Sequence, residues 1–299
     1  MSVNSSYFAE LLEPGLRKIY GDKYKEYPEQ YSGIFDVENS SKAFEETLNL
    51  SGFGLIAEKA QGSPITYDEP VKGPTHRITH LTYGKGFIIT AEMYEDDQYK
   101  VMRALPGALA RSVRVTIEQV AANILNRAFN SSYTGADSKE LCATDHTLLG
   151  GGTYQNELTT AADLDMTSLE QALIDIGDMV DDRGLLIQAK AKKLILPPEL
   201  EWQARRLLKS GMDPETANNS INPAQGSLPE GFVVNNYLTD PDAWFIKTDV
   251  PNGLIFYWRR KPSFTRDNDF DSENAKWKVT YRMSVGWDDP KGIFGSPGA

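Results

Sequence analysis

The chain has 299 residues, with 42 acidic against 31 basic side chains and a formal net charge of −11. That length is near the size at which single cores give way to several units, and the charge has the wrong sign for gripping phosphate, which argues against a sequence-reading nucleic-acid binder. One cysteine, Cys142, rules out an internal disulfide framework and fits a reducing compartment. No apolar run reaches the roughly 18 residues of a membrane span. The first residues, Met1 to Phe8, lack the basic and apolar regions of a secretory signal.

Residues 1–50 read as an arm. The pattern predicts a short helix from Ser6 to Leu12, stopped by Pro14-Gly15. A polar stretch with Tyr20, Tyr24, Tyr27 and Tyr31 follows, and it has too little periodic apolar surface to bury itself. It is read either as a wrap on its own body or as a strap on a neighbouring subunit, where tyrosine gives contact area at low entropy cost. Residues 51–95 read as a projecting hairpin, with strands at Ile65 to Tyr67 and Ile78 to Tyr83. Its polar tip is placed at Asp68-Glu69-Pro70-Val71-Lys72-Gly73-Pro74. A two-stranded hairpin is marginal alone, so it is expected to lie on something else.

One long amphipathic helix is predicted over about 97–129. Leu105, Leu109, Val113, Ile117, Val120, Ile124 and Ala128 recur at three- and four-residue spacing and form one face. From Pro106 to Phe129 this helix would measure about 36 Å. Residues 136–250 read as a mixed α/β unit. Thr167 with Glu170 suggests a capping box, and Leu169, Leu173, Ile176 and Val180 form a stripe. Leu194 to Leu196 reads as a buried strand, Glu199 to Ser210 as a helix, and Phe232 to Asn235 and Ala243 to Lys247 as strands. In residues 251–299 the alternation of Trp277, Val279, Tyr281, Met283 and Val285 gives a half-buried strand. Its partner is placed at Leu254 to Lys261, opened by the hairpin dipeptide Asn252-Gly253.

Catalytic chemistry is thin. No phosphate loop is present, and Gly52-x-Gly54, Gly84-x-Gly86 and Gly150-Gly151-Gly152 read as turn glycines. His76 and His80 sit in an alternating run that would separate them by roughly 13 Å, which favours two surface residues over a metal site. Cys142 with Asp145 and His146 sketches a nucleophile site, yet a small buried thiol is the preferred reading. Asp267-x-Asp269-x-Asp271 lacks the glycine and glutamate of a calcium loop and reads as an acidic hairpin tip. Carboxylate pairs are too numerous for one to be named as an acid/base pair.

The order of several segments resembles one family. These are Leu11-Leu12-Glu13-Pro14-Gly15-Leu16, Pro28 to Phe35, Tyr83 to Thr90, Glu92 to Asp97, Leu196 to Glu201 and Tyr237-Leu238-Thr239-Asp240. Together they resemble the major capsid protein of tailed bacteriophages, with the Hong Kong 97-type fold, in its Mu-like major head subunit group. The resemblance implies an α+β fold divided into an N-terminal arm (1–50), an extended loop (51–95), a spine helix of the peripheral domain (96–135), an axial domain (136–250), and peripheral return strands with the C-terminal tail (251–299). It implies a structural protein rather than an enzyme, with no cofactor and no metal, that self-assembles into hexamers and pentamers around double-stranded DNA. Asp68, Glu69, Lys72 and Arg77 on the loop, with the four arm tyrosines, become the expected inter-subunit contacts. Scaffold, portal and decoration proteins are expected as separate partners. Two alternatives stand beside this reading: an encapsulin-type cellular compartment, and a cytosolic α/β enzyme with paired carboxylates.

Overall fold

A computed structural model describes residues 6–90, 92–93, 96, 99–212, 221–268 and 274–299. In chain order they form α1 (Ser6–Glu26), β1 (Asp36–Asn39), β2 (Phe44–Leu50), β3 (Lys72–Thr79), β4 (Leu81–Ile89) and α2 (Tyr99–Asn126). Next come β5 (His146–Thr147), β6 (Thr153–Tyr154), α3 (Met166–Gly177), β7 (Ala191–Leu196) and α4 (Glu201–Lys209). The chain ends with β8 (Phe232–Val234), β9 (Trp244–Thr248), β10 (Leu254–Asn268), β11 (Ala275–Trp287) and β12 (Ile293–Ser296).

The long helix α2 has 28 residues, about 42 Å, and runs through Pro106. It lies over a four-stranded sheet of order β1-β10-β11-β4. Leu109, Val113 and Ile117 of the predicted stripe are buried, while Leu105, Val120 and Ile124 are half-buried and packed against the same core. The deepest line continues through Ala121 and Leu125, one position round from the predicted Val120 and Ile124, and rejoins the predicted stripe at buried Ala128. Opposite it, period-two alternation on β11 buries Trp277, Val279, Tyr281 and Met283.

The second sheet has the order β12-β9-β7-β8. Alternation on β7 assigns its two faces: Leu194 and Leu196 join a core with α3 and α4, and Ile195 joins the core beneath α2. α3 is capped by Asp165, whose carboxylate accepts from Ser168 N–H while Ser168 Oγ accepts from Asp165 N–H. This reciprocal box sits two residues before the predicted Thr167-Glu170 pair.

Several expectations are corrected. Pro14 does not stop the arm helix; α1 runs to Glu26 and packs along α2. Residues 65–67 form no strand, and the hairpin pairs β2 with β3 instead. Asn252-Gly253 links the two sheets rather than turning a hairpin, because β9 and β10 belong to different sheets. Asp269 and Asp271 of the acidic tip lie outside the described residues.

Replacing Ile117 with aspartate puts an unpaired charge where the wild-type side chain is fully enclosed. The expected loss is about 3–5 kcal/mol, read as a collapse of the melting transition by circular dichroism. Wild-type melting would show that this stripe is not core.

Candidate assembly surface

The projecting hairpin grows from both edges of the first sheet. β1 occupies one edge and leads into β2; β4 occupies the other and follows β3. His80 sits where the legs leave the sheet. Its Nε2 lies 3.0 Å from Ser40 Oγ and its Nδ1 2.9 Å from Ser284 Oγ. The ring is buried rather than exposed as the sequence suggested, and desolvation holds its pKa below the usual histidine value. A neutral imidazole thus ties both legs to β11. Thr47 Oγ1 adds a 2.8 Å hydrogen bond to Asp288. Gly84 and Gly86 are strand glycines, not turn glycines: a Cβ on Gly86 would lie 2.4 Å from Trp277 O, so only glycine lets β4 approach β11 this closely.

The ladder closes where Ser51 N–H donates to Val71 O and Val71 N–H donates to Ser51 Oγ. Residues 52–70 beyond it carry no strand and turn at Gly62, which has φ +84. The tip therefore lies near Gln61-Gly62, and the segment 68–74 placed there from sequence belongs to the returning leg. Arg183 pins this end from the α3–β7 connection. It donates to Gly52 O (3.1 Å) and Glu69 O (2.7 Å) and pairs with Asp68 at 3.4 Å. Lys72 opposes Leu50 in the ladder, and Arg77 pairs with Glu46. On this loop Leu55 is 88% and Ile56 98% exposed, and Phe53, Ile65 and Tyr67 are exposed as well. Phe53, Leu55 and Ile56 escaped the sequence reading because they match neither the helical nor the strand period, whereas Ile65 and Tyr67 read as strand.

The arm tyrosines are divided. Tyr20 is buried against Phe264, with ring centroids 4.9 Å apart, and Tyr31 is buried against Phe256 at 4.5 Å. Both belong to the chain's own core, which corrects their assignment as inter-subunit contacts. Tyr24 stacks under the Arg114 guanidinium at 4.1 Å, and Tyr27 lies 6.0 Å from that of Arg111. The turn after α1 is clasped by charged groups. Buried Glu118 accepts from Gln30 N–H (3.0 Å) and Tyr31 N–H (2.9 Å). Arg114 donates to Glu29 and to Tyr24 O. Lys193 and Lys247 donate to Gly33 O and Ile34 O, each at 2.9 Å. Burial pushes the Glu118 carboxyl up, against the two backbone donors and Arg114. Burial likewise raises the Tyr31 hydroxyl to about 12.

The residues that sketched a nucleophile site do not converge. Cys142 is fully buried, and desolvation raises its thiol well above the ordinary value. His146 pairs with Asp137 at 2.5 Å and with Asn156 Oδ1 at 3.0 Å, while Asp145 pairs with Lys139. Asn156 is a structural hub: its side-chain amide donates to Leu141 O, Pro290 O and Ile293 O, joining the start of the second unit to the tail. Beside it, desolvation and then the Glu140 charge push Glu157 up to about 7. Among the described residues, no group of three or more His, Cys, Asp or Glu side chains is placed to hold a metal.

Two outcomes follow. Glu118→Ala strands two backbone donors, one of them buried, and is expected to cost about 2–3 kcal/mol in denaturant unfolding, with faster proteolysis near residue 30. An unchanged midpoint would remove the clasp. For Glu157 the folded pKa lies above the unfolded one, so its favourable contribution is full below about 4.5 and is lost as pH rises toward about 7. Glu157→Gln should therefore raise the melting temperature at pH 8 and leave it nearly unchanged at pH 4; equal shifts at both would refute the assignment.

Residues 74–295 match the model of a phage capsid protein family. A comparison with curated protein sequences finds no match. Among solved structures, the procapsid of bacteriophage JBD30 aligns with TM-score 0.54 and 16% identity, over 97% of this chain and 75% of that one. The bacteriophage JBD30 capsid aligns with TM-score 0.58 and 13% identity over 71% and 92%. A virus-like particle from Pyrococcus furiosus aligns with TM-score 0.51 and 13% identity over 94% and 97%. These likenesses establish a shared fold, and the family match favours a phage shell over a cellular compartment. The chain belongs to the phage capsid protein family and is a major capsid subunit of the Hong Kong 97-type fold, a structural protein of the virion shell.

Proposed function

We propose that copies of this chain close into hexameric and pentameric capsomers of the icosahedral head of a tailed phage or prophage. The observation that carries this reading is the row of exposed apolar residues on the loop, Phe53, Leu55, Ile56, Ile65 and Tyr67. Large exposed apolar side chains concentrated on one projecting loop mark an interaction site. Placed on a neighbour it makes a heterologous contact, the type from which closed rings are built. Lys72, Asp68, Glu69 and Arg77 supply charged groups along the same arm of chain, and Tyr24 and Tyr27 remain half-exposed where α1 ends.

The subunit is made in the bacterial host cytoplasm and acts with separate scaffold, portal and decoration proteins. It performs no catalysis, and the order of its sequence motifs supports the Mu-like subgroup. Its net charge of −11 suits a wall that encloses double-stranded DNA without sequence-specific binding. The division into arm, extended loop, spine helix, axial domain and return strands is carried over as the working description of the shell subunit. Within it, β1 and β4 serve the peripheral sheet as much as the loop.

Negative-stain microscopy of the purified protein is expected to show closed shells or hexameric rings; monodisperse monomers would overturn the reading. Deleting residues 54–67 should leave a folded, soluble subunit by circular dichroism that forms no particles. Normal particles from that deletion would remove the loop from assembly.

A further inference from the structure

Between the hairpin base and the C-terminal part of α2 lies a cavity of about 280 Å³. Ile78 of β3, Ile124 of α2 and Trp287 of β11 give it an apolar lining, and Arg127 brings a guanidinium group to it. That guanidinium stacks 4.3 Å over the Tyr133 ring and has no acidic partner among the described residues. Trp287 is 9% exposed, and its Nε1 is buried with no hydrogen-bond partner among the described residues. Most buried donors in proteins are paired, so this one lacks an acceptor that something else can supply. The space before it is also kept clear. A Cβ on Gly135 would lie 2.9 Å from Trp287 Nε1, so glycine leaves the donor uncovered beside Tyr133 and Thr134 of the lining. The acids nearby already have partners. Asp288 accepts from Thr47 Oγ1 at 2.8 Å and faces His76 Nδ1 at 3.5 Å, and Asp137 pairs with His146.

These groups call for an acceptor for the indole N–H, an anion for Arg127 and a flat apolar body for the space between them. A carboxylate supplies the first two, because its paired oxygens suit the planar guanidinium and leave a lone pair for the indole. The volume lies at the small end of the roughly 300–1,000 Å³ range of ligand sites, which fits one ring better than a nucleotide. A bare inorganic anion would leave the apolar lining unfilled. We propose that this cavity is a binding site for a small aromatic acid, a single ring carrying one carboxylate. The carboxylate lies between Arg127 and Trp287 Nε1, and the ring lies against Ile78 and Ile124. Bound there, the ligand links β3, α2 and β11, and so ties the base of the hairpin to the folded body. The site lies within one copy and stands apart from the shell reading.

The test titrates benzoate into the purified full chain by isothermal titration calorimetry, and saturable binding at a single site per chain is expected. Benzyl alcohol has the ring without the charge, and inorganic phosphate has the charge without the ring. Each should bind about tenfold more weakly than benzoate. Arg127 is exposed, so Arg127→Gln should fold normally and weaken benzoate by about tenfold. Trp287→Phe keeps a ring and removes the N–H, and should also weaken binding. Hydrogen exchange gives a readout that general stabilisation would not: benzoate should slow exchange at residues 76–79, 123–134 and 285–287 and leave the second unit unchanged. If Trp287→Phe does not fold, Arg127→Gln and the exchange pattern decide. Absence of saturable binding, binding unaltered by Arg127→Gln, or phosphate or benzyl alcohol binding as well as benzoate would overturn the aromatic-acid site.

Discussion

The packing of α2 across the β1-β10-β11-β4 sheet governs where everything else is placed. Ala110 and Ala121 keep one side of the helix low, which lets it lie close to the aromatic layer of Trp277, Phe256 and Trp258. The same helix carries Arg114 and Glu118 in its buried stretch. Buried charges are costly unless satisfied, and here the arm satisfies them: two backbone N–H groups meet Glu118, and Glu29 meets Arg114. One helix therefore both closes the core and fixes the point at which the arm enters it.

The hairpin follows from the same sheet. Because its legs arise from opposite edges, the end of the sheet must be bridged before β2 and β3 can pair. His80 makes that bridge through two serine hydroxyls, and glycines on β4 remove the side chains that would push the edge strand away. The base is thus part of the folded body, whereas residues 52–70 have no ladder and only Arg183 and a few turn bonds to hold them. Firmness at the base and exposure at the end come from one design: the ladder of backbone hydrogen bonds ends at Ser51 and Val71, and the most exposed aliphatic side chains, Leu55 and Ile56, lie beyond them.

What the sequence disclosed depended on periodicity. The three-and-four stripe of α2 and the alternation on β11 are long enough to read directly, and the short segments around Leu194, Trp202 and Phe245 were flanked by clear stops. The arm misled because Pro14 and Gly15 are local breakers, while packing of α1 on α2 supplies the stability that local propensity lacks. The hairpin misled because Phe44 to Leu50 shows no clean alternation, so the first strand is read at Ile65 to Tyr67 and the turn at the Gly- and Pro-rich residues 68–74. Tyr20 and Tyr31 looked like surface contacts in a polar stretch, but their burial depends on Phe264 and Phe256, far away in sequence. Glu118 and His80 gave no signal, since their partners are backbone groups and hydroxyls that any sequence contains.

The charge distribution bears on how such subunits find one register. Two copies at −11 repel at a distance, so random docking of acidic faces is disfavoured. Attraction is confined to places where basic groups concentrate, and specificity between partners comes as much from penalised wrong contacts as from good ones. Lys193 and Lys247 are committed to carbonyl and carboxylate groups of their own chain, and Arg77 to Glu46, while Arg127 lies over the Tyr133 ring. Apolar exposure on the loop then supplies affinity that is not sequence-demanding. An acidic subunit with an apolar loop is therefore selective without needing any single strong contact, which suits a shell whose many identical joints must form in order and tolerate correction.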